Sequence, residues 1–274
     1  MEGKHIRITP HPAPLEPKIL WQYRDLILLL TRRSILVGYK QTVLGPAWIL
    51  IQPLLSALVY AWVFGGLVGV DTGEVPEFLF YLTGSALWSF FSGCVTKNAL
   101  CFRENAQVMG KVWFPRLAVP LSQCFSTLVS LGVQLIPVLL AVMVCCIRGQ
   151  IAPRWGLCIF LPGAVLQLLA LGLGTGLLLS AVTVAYRDLH VLVGFGMQLW
   201  MYASPVLYPV GRNAPWPVWL NPVAAPVEGI RLCLLGTGTV TLPGILWSAA
   251  VSVLALMLGI RAFSRAEANF VDRI

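Results

Sequence analysis

Long stretches with almost no charged side chain recur along this chain: Val43–Val70, Phe78–Phe102 with only Lys97, Leu117–Ile147, Trp155–Tyr186, Leu189–Val210 and Leu242–Ile260. A bilayer span needs about 20 mainly apolar residues. Inside hydrocarbon the backbone must satisfy its own hydrogen bonds, which a helix does within one segment. Composition agrees: 58% of residues are hydrophobic and 11% charged, whereas an ordinary soluble domain is about one quarter charged. The expected fold is all-α, a single polytopic membrane domain with six transmembrane helices across residues 43–263. A cytoplasmic tail and interface helix (1–42) precede it and a cytoplasmic tail (264–274) follows.

The segments between these stretches carry the detail. Met1–Pro17 has charges and four prolines but no apolar core, so it reads as a tail and not as a secretory signal. From Lys18 to Lys40, Leu20, Tyr23, Ile27 and Leu30 fall on one helical face, with Lys18, Gln22, Asp25 and Arg32 on the other. That pattern fits an amphipathic helix in the membrane interface and equally a helix packed on the protein's own surface. Lys97 is expected to snorkel to the nearby interface; a place on an ion pathway is the sharper alternative. In Gly172-Leu173-Gly174-Thr175-Gly176, small residues recur at i and i+4, which allows close helix contact within the subunit. Between Gly211 and Leu242, Pro215, Pro217, Pro222 and Pro226 interrupt apolar sequence. Two short re-entrant helices turning near Asn221-Pro222 are the expected result.

The proposed inner segments hold fourteen Lys and Arg, the outer ones only Arg148, Arg154, Arg212 and Arg231. That asymmetry predicts six spans with both ends in the cytoplasm. The net charge of +8 is thereby used for topology, and no nucleic-acid partner is expected. Seven cysteines lie mostly in apolar sequence without metal-ligand spacing to the three histidines, so neither a metal nor a disulfide framework is expected. The chain has no Gly-x-x-x-x-Gly-Lys-Ser/Thr phosphate loop and none of the common hydrolase motifs. Acidic residues deep in the spans, which an ion-driven carrier uses, are also missing. If the chain moves a solute, the energy has to come from elsewhere.

One polar island stands out, Arg103–Arg116, with Glu104, Asn105, Gln107 and Lys111 beside the apolar Val112, Trp113 and Phe114. Together with Tyr39-Lys40-Gln41-Thr42-Val43-Leu44-Gly45-Pro46-Ala47-Trp48, Tyr186-Arg187-Asp188-Leu189, Ser204-Pro205-Val206-Leu207-Tyr208 and Leu220-Asn221-Pro222 with Val227-Glu228-Gly229-Ile230-Arg231, the island carries a resemblance. The chain resembles the permease subunit of ABC-2 type exporters, in the branch that exports lipid-linked polysaccharides such as O antigen, capsule and teichoic acid.

The resemblance implies a homodimer in the bacterial cytoplasmic membrane, with two cytoplasmic ATPase subunits that bind ATP and Mg²⁺; no cofactor is expected on this chain. It implies polyprenyl-linked polysaccharide as cargo. Arg103, Glu104, Asn105, Gln107, Lys111, Val112, Trp113, Phe114 and Arg116 would couple to the ATPase, while Arg187 and Asp188 form a second contact or an ion pair at a helix end. Aromatic rings would line a channel, the available ones being Tyr60, Trp62, Phe64, Trp88, Phe90, Phe91, Trp200, Tyr202 and Tyr208. Asn221, Pro222, Glu228 and Arg231 would form an outer gate, with an inert ion pair of Glu228 and Arg231 as the competing reading. Rival functions are an ABC-2 permease for drugs or lipids and an integral-membrane enzyme acting on lipid-linked sugars.

Overall fold

The computed structural model describes residues 17–40, 42–105, 114–183, 188–211 and 216–271. Its α-helices are α1 (Pro17–Gln22), α2 (Arg24–Tyr39), α3 (Trp48–Tyr60), α4 (Glu77–Ala99), α5 (Cys101–Glu104) and α6 (Ala118–Ile147). After these come α7 (Leu161–Thr183), α8 (Leu189–Tyr202), α9 (Trp216–Leu220), α10 (Ala224–Leu235) and α11 (Leu242–Val271). No strand occurs among the described residues. Among the described residues, five helical segments are long and apolar enough to cross a membrane: Gly45–Leu67, Glu77–Ala99, Ala118–Ile147, Trp155–Thr183 and Leu242–Glu267. The chain is thus an all-α, multi-pass membrane protein.

Local chemistry explains how the first span is stitched together. Pro46 sits at the start of a 3-10 turn, Gly45–Ala47, where a missing N–H leaves nothing unpaired. Pro53 lies inside α3, and the helix continues as a π segment, Ala61–Leu67. There Val68 N–H reaches the Val63 carbonyl at 2.9 Å, and the wider turn keeps the backbone paired.

Helix α4 is the core of the bundle. In its most apolar window 78% of the residues are buried, against 17% to 22% in the other four spans. It packs against α3, α6, α7, α8 and α10. A helix apolar on every side belongs inside, and Leu79–Trp88 without a charge meets that condition.

Glycines set the approach of α7. Residues four apart share a helix face and residues two apart do not. Accordingly, a Cβ on Gly172 would lie 2.7 Å from Cys94 Cβ and one on Gly176 2.6 Å from Asn98 Cβ, both on α4. One on Gly174 would lie 2.5 Å from the Ala255 backbone on α11, and Gly259 returns the contact. The glycine run therefore packs within the subunit, with α7 clamped between α4 and α11.

Contacts at the two ends order the spans. At one end Thr183 Oγ1 donates to Ala99 O at 2.6 Å, and Phe102 stacks on Phe263 at 4.5 Å. Arg116 pairs with Glu267 at 3.6 Å. At the other end Arg154 N–H donates to Cys233 O at 3.0 Å, and Trp247 Nε1 donates to Leu220 O at 3.1 Å. The first group of contacts is called the island end below, and the second the loop end.

Three boundaries differ from the sequence expectation. The fifth apolar stretch is helical only over Leu189–Tyr202, 14 residues or about 21 Å at 1.5 Å per residue, short of a hydrocarbon core of about 30 Å. Pro205 accounts for this: it lacks an N–H and pushes Ser204 out of the α region. The last helix runs on to Val271 because Phe263 and Glu267 find partners on the α5 and α6 ends. The N-terminal helix breaks at Tyr23, and α2 packs on α6: Ser34 Oγ donates to Gln123 Oε1 at 2.7 Å, and Ile27 and Leu30 are buried. Its Leu28, Leu29, Leu36 and Val37 stay exposed, so one helix is both packed on the protein and apolar outward.

The crossing of α7 and α11 can be tested at its closest point. Gly174→Val should destabilise by about 1–3 kcal/mol, read as a lower thermal midpoint in detergent. Gly132→Ala, where an added Cβ meets nothing within 4 Å, should leave the midpoint unchanged or raised. Equal midpoints for Gly174→Val and the native chain would refute the close crossing.

Candidate functional site

The expected coupling segment begins and ends within the described residues. Arg103 and Glu104 are exposed at the end of α5, and Asn105 Nδ2 donates back to Cys101 O at 3.1 Å. Desolvation raises the Glu104 carboxyl above the usual carboxylate range, with Lys97 and Arg103 opposing. Gln107, Lys111, Val112, Trp113 and Arg187 lie outside the described residues. Phe114 is buried in the core, so it anchors the return of the chain and is turned away from any outside partner. Arg116 is tied to α11 through the Glu267 carboxylate and, at 3.2 Å, through the Glu267 carbonyl. Asp188 is exposed at the start of α8, its carbonyl accepting from Val191 N–H. The described part of the segment is thus an exposed polar step held at both edges by buried aromatic rings.

The aromatic side chains divide into two groups. Phe91 and Trp88 are buried and touch each other at 5.5 Å, and Phe91 meets Trp200 edge-on at 5.2 Å. Tyr60 and Phe64 lie 6.2 Å apart and both face Tyr81, which is fully buried. Phe90 is buried as well, and Tyr208 is half-buried, its hydroxyl donating to Ala203 O. Trp62 and Tyr202 are exposed, at 67% and 55%. Among the expected channel rings, these two are the ones free of the chain's own core, on α3's π segment and on α8.

The four residues expected at the outer gate come together at the loop end. The two short helices expected around Asn221-Pro222 are α9 and α10, separated there. Asn221 is a hub: its Oδ1 accepts from Trp200 Nε1 at 3.2 Å and from Val223 N–H at 3.1 Å. Its Nδ2 donates to Ser204 Oγ at 2.8 Å and Ala203 O at 3.1 Å. The Pro222 carbonyl accepts from Ser248 Oγ, which fixes the turn to α11.

Glu228 and Arg231 form an ion pair at 3.0 Å with both side chains almost fully buried. Arg231 also donates through Nη1 to Pro205 O and through Nη2 to Val206 O at 2.8 Å. Its guanidinium lies 3.7 Å over the Phe80 ring, within reach of a cation–π contact. Glu228 Oε2 accepts from Thr239 N–H at 3.2 Å. A Cβ on Gly84 would sit 2.5 Å from Arg231 Nη2, so α4 makes room for the cation with a glycine. The i, i+3 spacing announces the pair. Its second task, donating to the carbonyls at Pro205 and Val206, is invisible in local sequence, as are Tyr81 and Gly84, whose roles arise from contacts far along the chain.

Glu228→Gln should therefore cost about 3–5 kcal/mol, the range for breaking a buried pair by removing one partner. Glu228→Gln with Arg231→Met should cost less than the sum of the two single changes. Additive losses of thermal stability in that cycle would show the groups to be uncoupled.

Comparison with known proteins gives a family and relatives. The family described as "ABC-2 type transporter" matches residues 25–235. Two proteins of Klebsiella pneumoniae, both named "O-antigen export system permease protein RfbA", are similar: one is 27% identical over 262 residues, the other 25% over 252. Each alignment covers 90% of this chain and 94% of the relative. A Myxococcus xanthus protein of the same name is 32% identical over 191 residues, 70% of this chain and 71% of its own length. With five apolar helices of spanning length and a family match from α2 through α10, the chain belongs to the ABC-2 type transporter family.

Proposed function

We propose that the chain is the permease subunit of an ATP-driven exporter that moves a lipid-linked polysaccharide of O-antigen type across the bacterial cytoplasmic membrane. The observation that carries this reading is the similarity to O-antigen export permeases along nearly the whole of their length and of this chain. The excess of Lys and Arg supports a cytoplasmic island end, with both termini on that side. Two copies of the chain form the channel, and an ATPase subunit carrying ATP and Mg²⁺ docks beneath each copy on residues 103–116, with Arg187 and Asp188 beside it.

The exposed faces of α3 and α8 support a path between two copies, because little of the chain's own core covers them. Trp62 and Tyr202 offer flat apolar rings there, on which sugar faces stack while their hydroxyls keep water. Such contacts suit a polymer that must slide. The Glu228–Arg231 pair and the Asn221 hub hold α9 and α10 over the loop end, where they serve as the outer closure. Cargo enters the reading through the relatives alone, so a sibling permease for drugs or lipids is the alternative to test.

Reconstituted with its ATPase, the permease should show nucleotide hydrolysis stimulated by polyprenyl-linked glycan; stimulation by small hydrophobic drugs alone would favour the sibling reading. Trp113→Ala, which spares the buried Phe114, should weaken co-purification of the ATPase by about tenfold, or ~1.4 kcal/mol. Undiminished co-purification would remove Trp113 from the contact. Trp62→Ala with Tyr202→Ala should lower export several-fold without changing the amount of assembled complex, and full export would take those rings off the path.

A further inference from the structure

At the island end a cavity of about 550 Å³ opens between α2, the α4–α5 junction and α6. Arg33 and Ser34 reach it from α2, Lys97 and Glu104 from the α4–α5 junction, and Gln123 from α6. A smaller space of about 140 Å³ continues it between α3, α4 and α6, sharing Lys97 and adding Gln52, Ser89 and Gln134. Lys97 is half-buried, and its ammonium donates inward to Ser126 Oγ, a fully buried hydroxyl, at 3.1 Å. That hydroxyl in turn lies 2.9 Å from Gln123 O. Neither Lys97 nor Arg33 has a carboxylate within ion-pair distance among the described residues, Glu104 included.

A charge held among helices with one neutral partner is costly. Among the described lining residues, two cations stand against one carboxylate. A second observation points the same way: Gln134, 6% exposed, has its side-chain oxygen without a partner on the wall of the inner space. The pocket thus holds unmet positive charge at its mouth and an unmet acceptor farther in. Its outer wall, α2, carries exposed Leu28, Leu29, Leu36 and Val37, and the inner space reaches exposed Trp48. Most of the lining residues are polar, with Ser34, Ser122, Gln123 and Ser130 beside the charges, and exposed apolar side chains flank them on α2. A polar, positive pocket next to an apolar outer surface suits an amphiphile better than a free anion. Basic pockets between membrane helices take anionic headgroups for this reason.

We propose that this cavity binds the phosphate-bearing headgroup of a membrane lipid, with Lys97 and Arg33 as the phosphate's cations and Gln134 accepting from a hydroxyl of the same ligand. The lipid is either an anionic phospholipid of the bilayer or a polyprenyl diphosphate, and the chemistry at the two cations is the same. The site does not rest on the polysaccharide reading.

Native mass spectrometry of the full chain released from detergent tests it, with phosphatidylglycerol, a polyprenyl diphosphate, phosphatidylcholine and inorganic pyrophosphate as probes. Retention of phosphatidylglycerol or the polyprenyl diphosphate above phosphatidylcholine is expected, with Lys97→Gln and Arg33→Gln each lowering it about tenfold and Lys97→Arg keeping it. Arg33 is exposed on α2, so its variant reads the site even if Lys97→Gln fails to fold. Whichever of the two lipids is held more tightly names the source. Equal retention by the native chain and the Arg33→Gln variant overturns the proposal, as does phosphatidylcholine held as well as the anionic lipids. Pyrophosphate held as tightly as the lipids overturns it in favour of a soluble anion. A chain that retains phosphatidylglycerol but exports no glycan sinks the cargo reading and leaves this site standing.

Discussion

Backbone that leaves the helix inside a membrane protein must find hydrogen-bond partners in the protein itself, and here one guanidinium supplies them. Pro205 ends the helical pairing of α8, and the carbonyls at Pro205 and Val206 are left facing the bundle. Arg231 donates to both. The same cation needs a counter-charge, which Glu228 gives one turn earlier, and a place to lie, which Phe80 and Gly84 give on α4. Remove any of these and the others become liabilities: an orphaned carbonyl, an unpaired charge or a filled niche. The shortness of α8, the seat of α10 and the glycine on α4 are one solution to one problem.

Helix α4 connects that solution to the opposite end. It meets Arg231 near its first turns and Asn98 lies against Gly176 near its last, with burial nearly continuous between. The segment after α5 is therefore joined to the most enclosed helix of the bundle, while α3 and α8 stay largely uncovered. A displacement applied at 103–116 meets a stiff strut, and the parts able to shift against it are the two exposed helices. In the proposed exporter, this division places the docking surface on the rigid element and the cargo path beside the loose ones.

The sequence made most of the architecture legible because a charge inside hydrocarbon is costly enough that its absence marks a span. The turn at Asn221-Pro222 and the spacing of Glu228 and Arg231 could be read for a related reason, since proline and paired charge act locally. What could not be read depends on distant partners. The fifth stretch reads as one long helix because hydropathy does not register Pro205, although the prolines at 205 and 209 carry the signal. Phe114 reads from sequence as part of the coupling segment because it adjoins Val112 and Trp113, whereas packing turns it into the core. The central position of α4 is hidden as well, since a lipid-facing helix and a fully enclosed one are both apolar on every side.

The division of the rings follows from the same geometry. Trp200 is fixed twice, by Phe91 on α4 and by the Asn221 amide, so it is a fastener between α8 and the turn. Two residues on, Tyr202 points about 200° away around the helix, by 100° per residue, and is exposed. Fixing the one therefore orients the other: an edge-on contact worth about 0.5–1.5 kcal/mol and a hydrogen bond hold Trp200 inward, and helical spacing then presents Tyr202 outward. Tyr60 and Trp62 divide in the same way, the first packed toward Tyr81 and the second exposed at 67%. Aromatic pairs two apart thus do different work, one ring anchoring its helix to α4 while the next faces whatever lies outside the subunit.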